Sequence, residues 1–116
     1  MSKTLIYHNP RCSKSRETLA LLEENQQEVE IFEYLKTPPT PLQLSLVLKQ
    51  LNIRPRQLLR SKETLYKKLA LDNENLSDQE IIDAMCTHPK LIERPIVIKN
   101  NQAIIGRPPE LVLNIL

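Results

Sequence analysis

The sequence predicts an α/β fold with a mixed four-stranded sheet and flanking helices, in one domain covering residues 1–116. Three observations predict it. A strand, a helix and a second strand open the chain. Two strands joined by a tight turn and followed by a helix close it. The stretch between, about 41–89, carries only helical signals and reads as an insertion.

Thr4 to His8 contains β-branched and aromatic residues, and Asn9-Pro10 breaks it, so it reads as a strand. From Ser13 to about Asn25 the residues are mostly strong helix formers, among them Arg16, Glu17, Leu19, Ala20, Leu21 and Leu22. Val29 to Tyr34 reads as the second strand. A right-handed crossover through the helix makes the two strands parallel. Thr37-Pro38-Pro39-Thr40-Pro41 is a stiff loop that ends in a helix start. Thr40 is its N-cap, Pro41 its first helical residue and Gln43 the third. Leu44, Val47, Leu48 and Leu51 then share one helical face. Pro55 restarts a short helix toward Arg60, and another covers Glu63 to Leu69. Ser77 and Glu80 have capping-box spacing, with Leu76 and Ile81 placed for a hydrophobic staple. That helix is predicted to run to about His88 and stop at Pro89. Ile96-Val97-Ile98 and Ala103-Ile104-Ile105 read as strands joined at Asn100-Asn101. Gly106 is the single glycine, and Pro108-Pro109 opens a last helix through Leu116.

The order β-α-β, helices, β-β-α is the thioredoxin-like arrangement. There a reactive cysteine typically sits after the first strand, where the first helix begins. Cys12 occupies that place.

Composition narrows the function. Aromatic residues are 3% of the chain, so the core must be built from Leu, Ile, Val and Ala. A net charge of +2, spread along the sequence, does not point to nucleic acid. The apolar run Leu5-Ile6-Tyr7 is far too short for a signal peptide or a membrane span, so a cytoplasmic location is expected. The two cysteines, Cys12 and Cys86, are expected as free thiols in that reducing compartment. No Cys/His cluster has zinc spacing, so no metal is expected.

A helix N-terminus presents free N–H groups and about half a positive charge, both of which favour thiolate over thiol. Such positions lower a cysteine pKa from about 8.5 into the range of roughly 3.5–7.5. Arg11, Lys14 and Arg16 add nearby positive charge, and His8 at the strand end can point at the same spot. The same N–H groups can hold an anion, with Ser13 and Ser15 as added donors. The alternative is a buried, inert thiol. The polar flanks Pro10, Arg11, Ser13 and Lys14 argue against burial. Ser15 stands where a dithiol exchange motif has its second cysteine, so a local disulfide is excluded and an outside thiol must resolve any product. Cys86 reads as a core or half-buried thiol.

The stretch Ile6-Tyr7-His8-Asn9-Pro10-Arg11-Cys12-Ser13-Lys14-Ser15-Arg16 resembles the active-site segment of the glutaredoxin-coupled arsenate reductases. Tyr34-Leu35-Lys36-Thr37-Pro38-Pro39-Thr40, Leu58-Leu59-Arg60, the stretch from His88 to Val97 and Gly106-Arg107-Pro108 resemble their further markers in order. The resemblance implies Cys12 as the nucleophile and Arg60, Arg94 and Arg107 as the oxyanion ligands. It assigns His8 to lowering the thiol pKa and Ser15 to supporting the thiolate or the bound anion. It makes Arg94-Pro95 the cis-proline turn facing the cysteine. It implies arsenate or a similar oxyanion as substrate, glutathione as co-substrate, glutaredoxin as partner, no bound cofactor and a monomer. The sequence departs from the family pattern in Ser13 and Lys14, and typical members have a further C-terminal extension.

Taken singly, the arginines have other readings. Arg60 belongs to a basic stretch with Arg54, Arg56 and Lys62. Arg94 has Glu93 or Glu17 as possible partners, and Arg107 has Glu110. Two other functions use the same fold. A monothiol glutaredoxin-like oxidoreductase fits the Cys-x-x-Ser spacing, but the residue before Pro95 is an arginine and there is no Gly-Gly element. A redox-sensing, protein-binding regulator is the non-enzymatic alternative, and retention of all three arginines favours the enzyme over it. The phosphate loop of cysteine phosphatases needs an arginine at position 18, which is Thr18.

Overall fold

The computed structural model describes residues 3–116. Strand β1 (Thr4–Tyr7) lies inside a four-stranded sheet of order β2-β1-β3-β4, with β2 at Val29–Phe32, β3 at Ile96–Lys99 and β4 at Gln102–Ile105. β1 pairs parallel to β2, with Ile6 opposite Ile31, and antiparallel to β3, with Ile6 opposite Val97. β3 and β4 form the hairpin expected from Asn100-Asn101. Both turn residues have left-handed backbones, φ 53° and 63°, which asparagine tolerates and which match the twist of a two-residue hairpin.

The chain divides into two compact units, Met1–Thr37 with Arg94–Leu116, and Pro38–Glu93. The first holds the sheet and helix α1 (Ser13–Glu24). Ile6, Leu22, Val97 and Val112 are fully buried at its centre, and Leu19, Val29, Ile104 and Ile115 pack against them. Tyr7 meets Phe32 edge-on at 4.8 Å and stacks on Tyr34 at 6.0 Å. Three of the four aromatic residues are thus gathered at one end of β1. The expected last α-helix is instead a 3₁₀ stretch, Pro109–Ile115. A repeat of three residues places Pro109, Val112 and Ile115 over one another, so the tighter helix aims them together at the core.

The second unit is helical: α2 (Pro41–Leu51), α3 (Pro55–Leu58), α4 (Thr64–Lys68) and α5 (Asp78–Thr87). Both predicted capping boxes are present. Thr40 Oγ1 accepts from the Gln43 N–H at 3.1 Å while Gln43 returns a bond to the Thr40 N–H, and Ser77 and Glu80 repeat the pattern. Leu44, Val47 and Leu48 are the buried face of α2, as its periodicity predicts. β1, β2 and α1 stop a residue or two earlier than predicted, and β3 and β4 each extend one residue further into their hairpin, differences of the size usual at element ends.

Candidate functional site

Cys12 is the N-cap of α1, with an extended backbone (φ −93°, ψ 123°). An oxygen side chain usually fills that position. Here a thiol does, and the first turn of α1 has no acidic side chain to neutralise its N–H groups.

Asn9 organises the loop before it. Its carbonyl accepts the Cys12 N–H at 3.0 Å. Its Oδ1 accepts the Arg11 N–H at 3.0 Å, and its own N–H donates to Ser15 Oγ at 3.0 Å. Arg16 closes the loop by donating from Nη1 to the Pro10 carbonyl at 2.9 Å. The sequence reading missed Asn9 as an organiser, although an Asn two residues before a polar turn residue is an Asx-turn signal.

The cysteine is buried, with 8% of its surface exposed, against the expectation drawn from its polar neighbours. The flanking side chains of Arg11, Ser13 and Lys14 face solvent while the thiol turns inward. The sulfur there is met by cations. Arg107 Nη2 lies 3.7 Å from it. Arg107 Nε also donates to the Arg94 carbonyl at 2.7 Å, which ties the two arginines together. Burial pushes the Cys12 thiol up, but the Ser15 N–H, the hydrogen bond and charge of Arg94 and the Lys14 N–H outweigh it, so the pKa falls below the ordinary thiol value. Lys14 acts there through its backbone, since its ammonium is 3.7 Å from Glu17.

His8 is placed on the Ser15 hydroxyl, whereas Ser15 acts on the sulfur through its backbone N–H. His8 Nδ1 lies 2.6 Å from Ser15 Oγ, and both residues are buried. Burial, with a smaller contribution from Arg16 and against the pull of Glu33, lowers the His8 pKa. The ring is therefore neutral at pH 7 and supplies orientation, with no cationic charge for the thiolate.

Arg94-Pro95 is a cis bond, as the resemblance implied, and Arg107-Pro108 is a second one. Gly106 fits between them for a steric reason. A Cβ on it would lie 2.7 Å from Thr18 Oγ1 and 3.0 Å from Pro95 Cγ. Its N–H donates to the Pro95 carbonyl at 2.9 Å. The absence of a side chain therefore sets how closely the Arg107 segment approaches α1. Thr18, the position where a phosphatase loop would need arginine, donates to the Lys14 carbonyl at 2.8 Å.

Arg60 lies in the other unit. Its guanidinium is 3.6 Å from a Glu93 oxygen and 3.9 Å from one of Glu63, so two carboxylates already neutralise it. Among the described residues no group of three or more His, Cys, Asp or Glu could hold a metal ion, and no helix is long and apolar enough to cross a membrane.

The chain is similar to an arsenate reductase of Haemophilus influenzae, 52% identical over 97% of both chains. It is also similar to an arsenate reductase of Escherichia coli (strain K12), 41% identical over all of this chain and 82% of that one. Its structure matches that of an arsenate reductase from Vibrio cholerae with a TM-score of 0.97, at 52% identity over 98% of each chain. The ArsC family model covers residues 7–115, from the last residue of β1 to the end of the terminal 3₁₀ stretch, and the chain belongs to that family.

Proposed function

We propose that this protein is an arsenate reductase with Cys12 as its nucleophile and Arg94 and Arg107 as the oxyanion ligands. The observation that carries the reading is a buried, thiolate-favouring sulfur at a helix N-terminus with the Arg107 guanidinium 3.7 Å away. Arsenate is mostly a dianion near neutral pH, and an attacking thiolate is repelled by it. Guanidinium forks and helix N–H groups offset that repulsion and stabilise the charge that builds up in the transition state.

The Cys12 thiolate attacks arsenic, forming a sulfur–arsenic bond as an oxygen leaves as water. A second thiolate attacks the Cys12 sulfur. The sulfur–arsenic bond breaks with its electron pair left on arsenic, so arsenic goes from the pentavalent to the trivalent state and the two thiols are oxidised to a disulfide. We take glutathione as that second thiol and glutaredoxin as the protein that clears the mixed disulfide. Ser15 in place of a second cysteine supports this, as does the raised pKa of Cys86. The resemblance adds Arg60 as a further anion ligand. The chemistry needs no bound cofactor or metal, and it suits a monomer in the reducing cytoplasm.

The test is arsenite formation with glutathione and glutaredoxin, for wild type and Cys12→Ser. The expected result is arsenite from the wild type only. Arsenite from the serine variant at the wild-type rate would sink the reading.

A further inference from the structure

Fixed backbone sets Arg60 between two carboxylates. The Leu58–Arg60 segment pairs antiparallel with Leu91–Glu93 through a bridge between Leu59 and Ile92. The Arg60 N–H donates to the Leu91 carbonyl at 2.8 Å, and the Glu93 N–H donates to the Leu58 carbonyl at 2.9 Å. Leu58, Leu91 and Ile92 are fully buried and anchor this pairing. The Glu63 N–H donates to the Arg60 carbonyl at 3.1 Å, which turns its side chain back toward the arginine. Glu93 Oε1 then lies 3.6 Å from Arg60 Nε, and Glu63 Oε2 lies 3.9 Å from Nη1. Both separations exceed the roughly 2.7–2.9 Å of a charge-assisted hydrogen bond, so charge alone holds the guanidinium. The side chains of Arg60, Glu63 and Glu93 are 21%, 31% and 29% exposed, so water and salt screen these pairs less than pairs on the open surface.

We propose that Glu63 and Glu93 are positioning residues that hold Arg60 against the incoming anion, so that they weaken the binding of a tetrahedral dianion. The inference rests on the reading of Arg60 as an anion ligand. Two carboxylates beside one guanidinium leave that position net negative, and a dianion gains little from it. The cation is present but its pull is held in check, and the two glutamates set by how much.

The test is phosphate binding at pH 8, followed by backbone amide chemical shifts. Phosphate has the shape of arsenate, is mostly a dianion there and is not reduced by thiols. The measurement is therefore readable whether or not arsenate is reduced, and the same spectra report that each variant is folded. Glu63→Gln/Glu93→Gln keeps both side-chain shapes and is expected to tighten the phosphate Kd about fivefold, the scale of two partly exposed charge pairs. Glu63→Gln alone is expected to give about twofold. Removing negative charge can draw in an anion without Arg60, so the same two substitutions are compared in an Arg60→Gln background. There the gain is expected to shrink to less than about twofold. A gain of equal size in both backgrounds, no gain, or weaker binding would overturn the proposal, as would a wild type whose amides do not respond to phosphate. Phosphate binding with the expected variant effects but no arsenite formation would sink the arsenate reading alone and leave the role of the two glutamates standing.

Discussion

Cys12 and Cys86 are both free thiols, and each sits at the end of a helix. Cys12 caps the N-terminus of α1, and Cys86 is the last residue but one of α5. Burial pushes both thiols up. At Cys12 the backbone N–H groups and Arg94 reverse that push. At Cys86 the neighbouring Asp83 adds to it. The opposite ends of a helix have opposite partial charges, which favour thiolate at the Cys12 end and thiol at the Cys86 end. The lesson is that burial does not silence a thiol when the groups that bury it are donors.

The widest split between these two helix ends is expected from alkylation with iodoacetamide followed against pH. Cys12 should be half-reacted below the ordinary thiol range and Cys86 above it. Removing Cys12 should cost about 10³-fold or more in arsenate reduction, and Cys86→Ser should stay within about twofold of wild type. Equal midpoints for the two thiols would break the comparison outright.

Next in size are the arginines. Arg94→Ala should lower kcat/KM for arsenate about 10²-fold and move the Cys12 alkylation midpoint upward, because both its hydrogen bond and its charge act on the sulfur. Arg60→Ala should cost less and leave that midpoint in place, since Glu63 and Glu93 already hold its guanidinium. A loss with Arg60→Ala as large as with Arg94→Ala would show that those carboxylates give way to substrate.

Gly106→Ala is a smaller, structural change. The added carbon meets the buried, stiff Thr18, which should cost about 1–3 kcal/mol in urea unfolding. Arg107 should shift with it, so activity should fall more than stability accounts for. Thr18→Ala in the same chain should restore part of both, and no recovery would place the obstruction at Pro95.

The smallest effect concerns His8. Its pKa is lowered in the folded chain, chiefly by burial. Below about pH 6.5 the unfolded chain binds the proton first, so stability should fall as pH drops through that range. His8→Gln should flatten that dependence, and an unchanged slope would mean that the ring is not held neutral.

Elements carried by neighbouring residues are legible in the amino-acid order alone. The capping boxes at Thr40 and Ser77, the asparagine turn and the buried face of α2 all rest on contacts within four residues. The position of Cys12 at the start of α1 is legible for the same reason. Its burial is not, because Arg94 and Arg107 reach it from more than 80 positions away in the chain. Polar flanks report where their own side chains go, and the thiol between them points elsewhere. The 3₁₀ form of the last segment is hidden as well, since Pro109, Val112 and Ile115 have a spacing that either helix type accommodates.

By itself the amino-acid order determined the strand and helix sequence, the helix starts and the place of Cys12 at an N-terminus, because backbone donors and short-range caps need only near neighbours. Tertiary structure decided which cations reach the sulfur, that His8 is neutral and bonded to Ser15, and that Arg60 is paired with two glutamates. Those outcomes depend on burial and on charges brought together from distant segments, and both follow from packing.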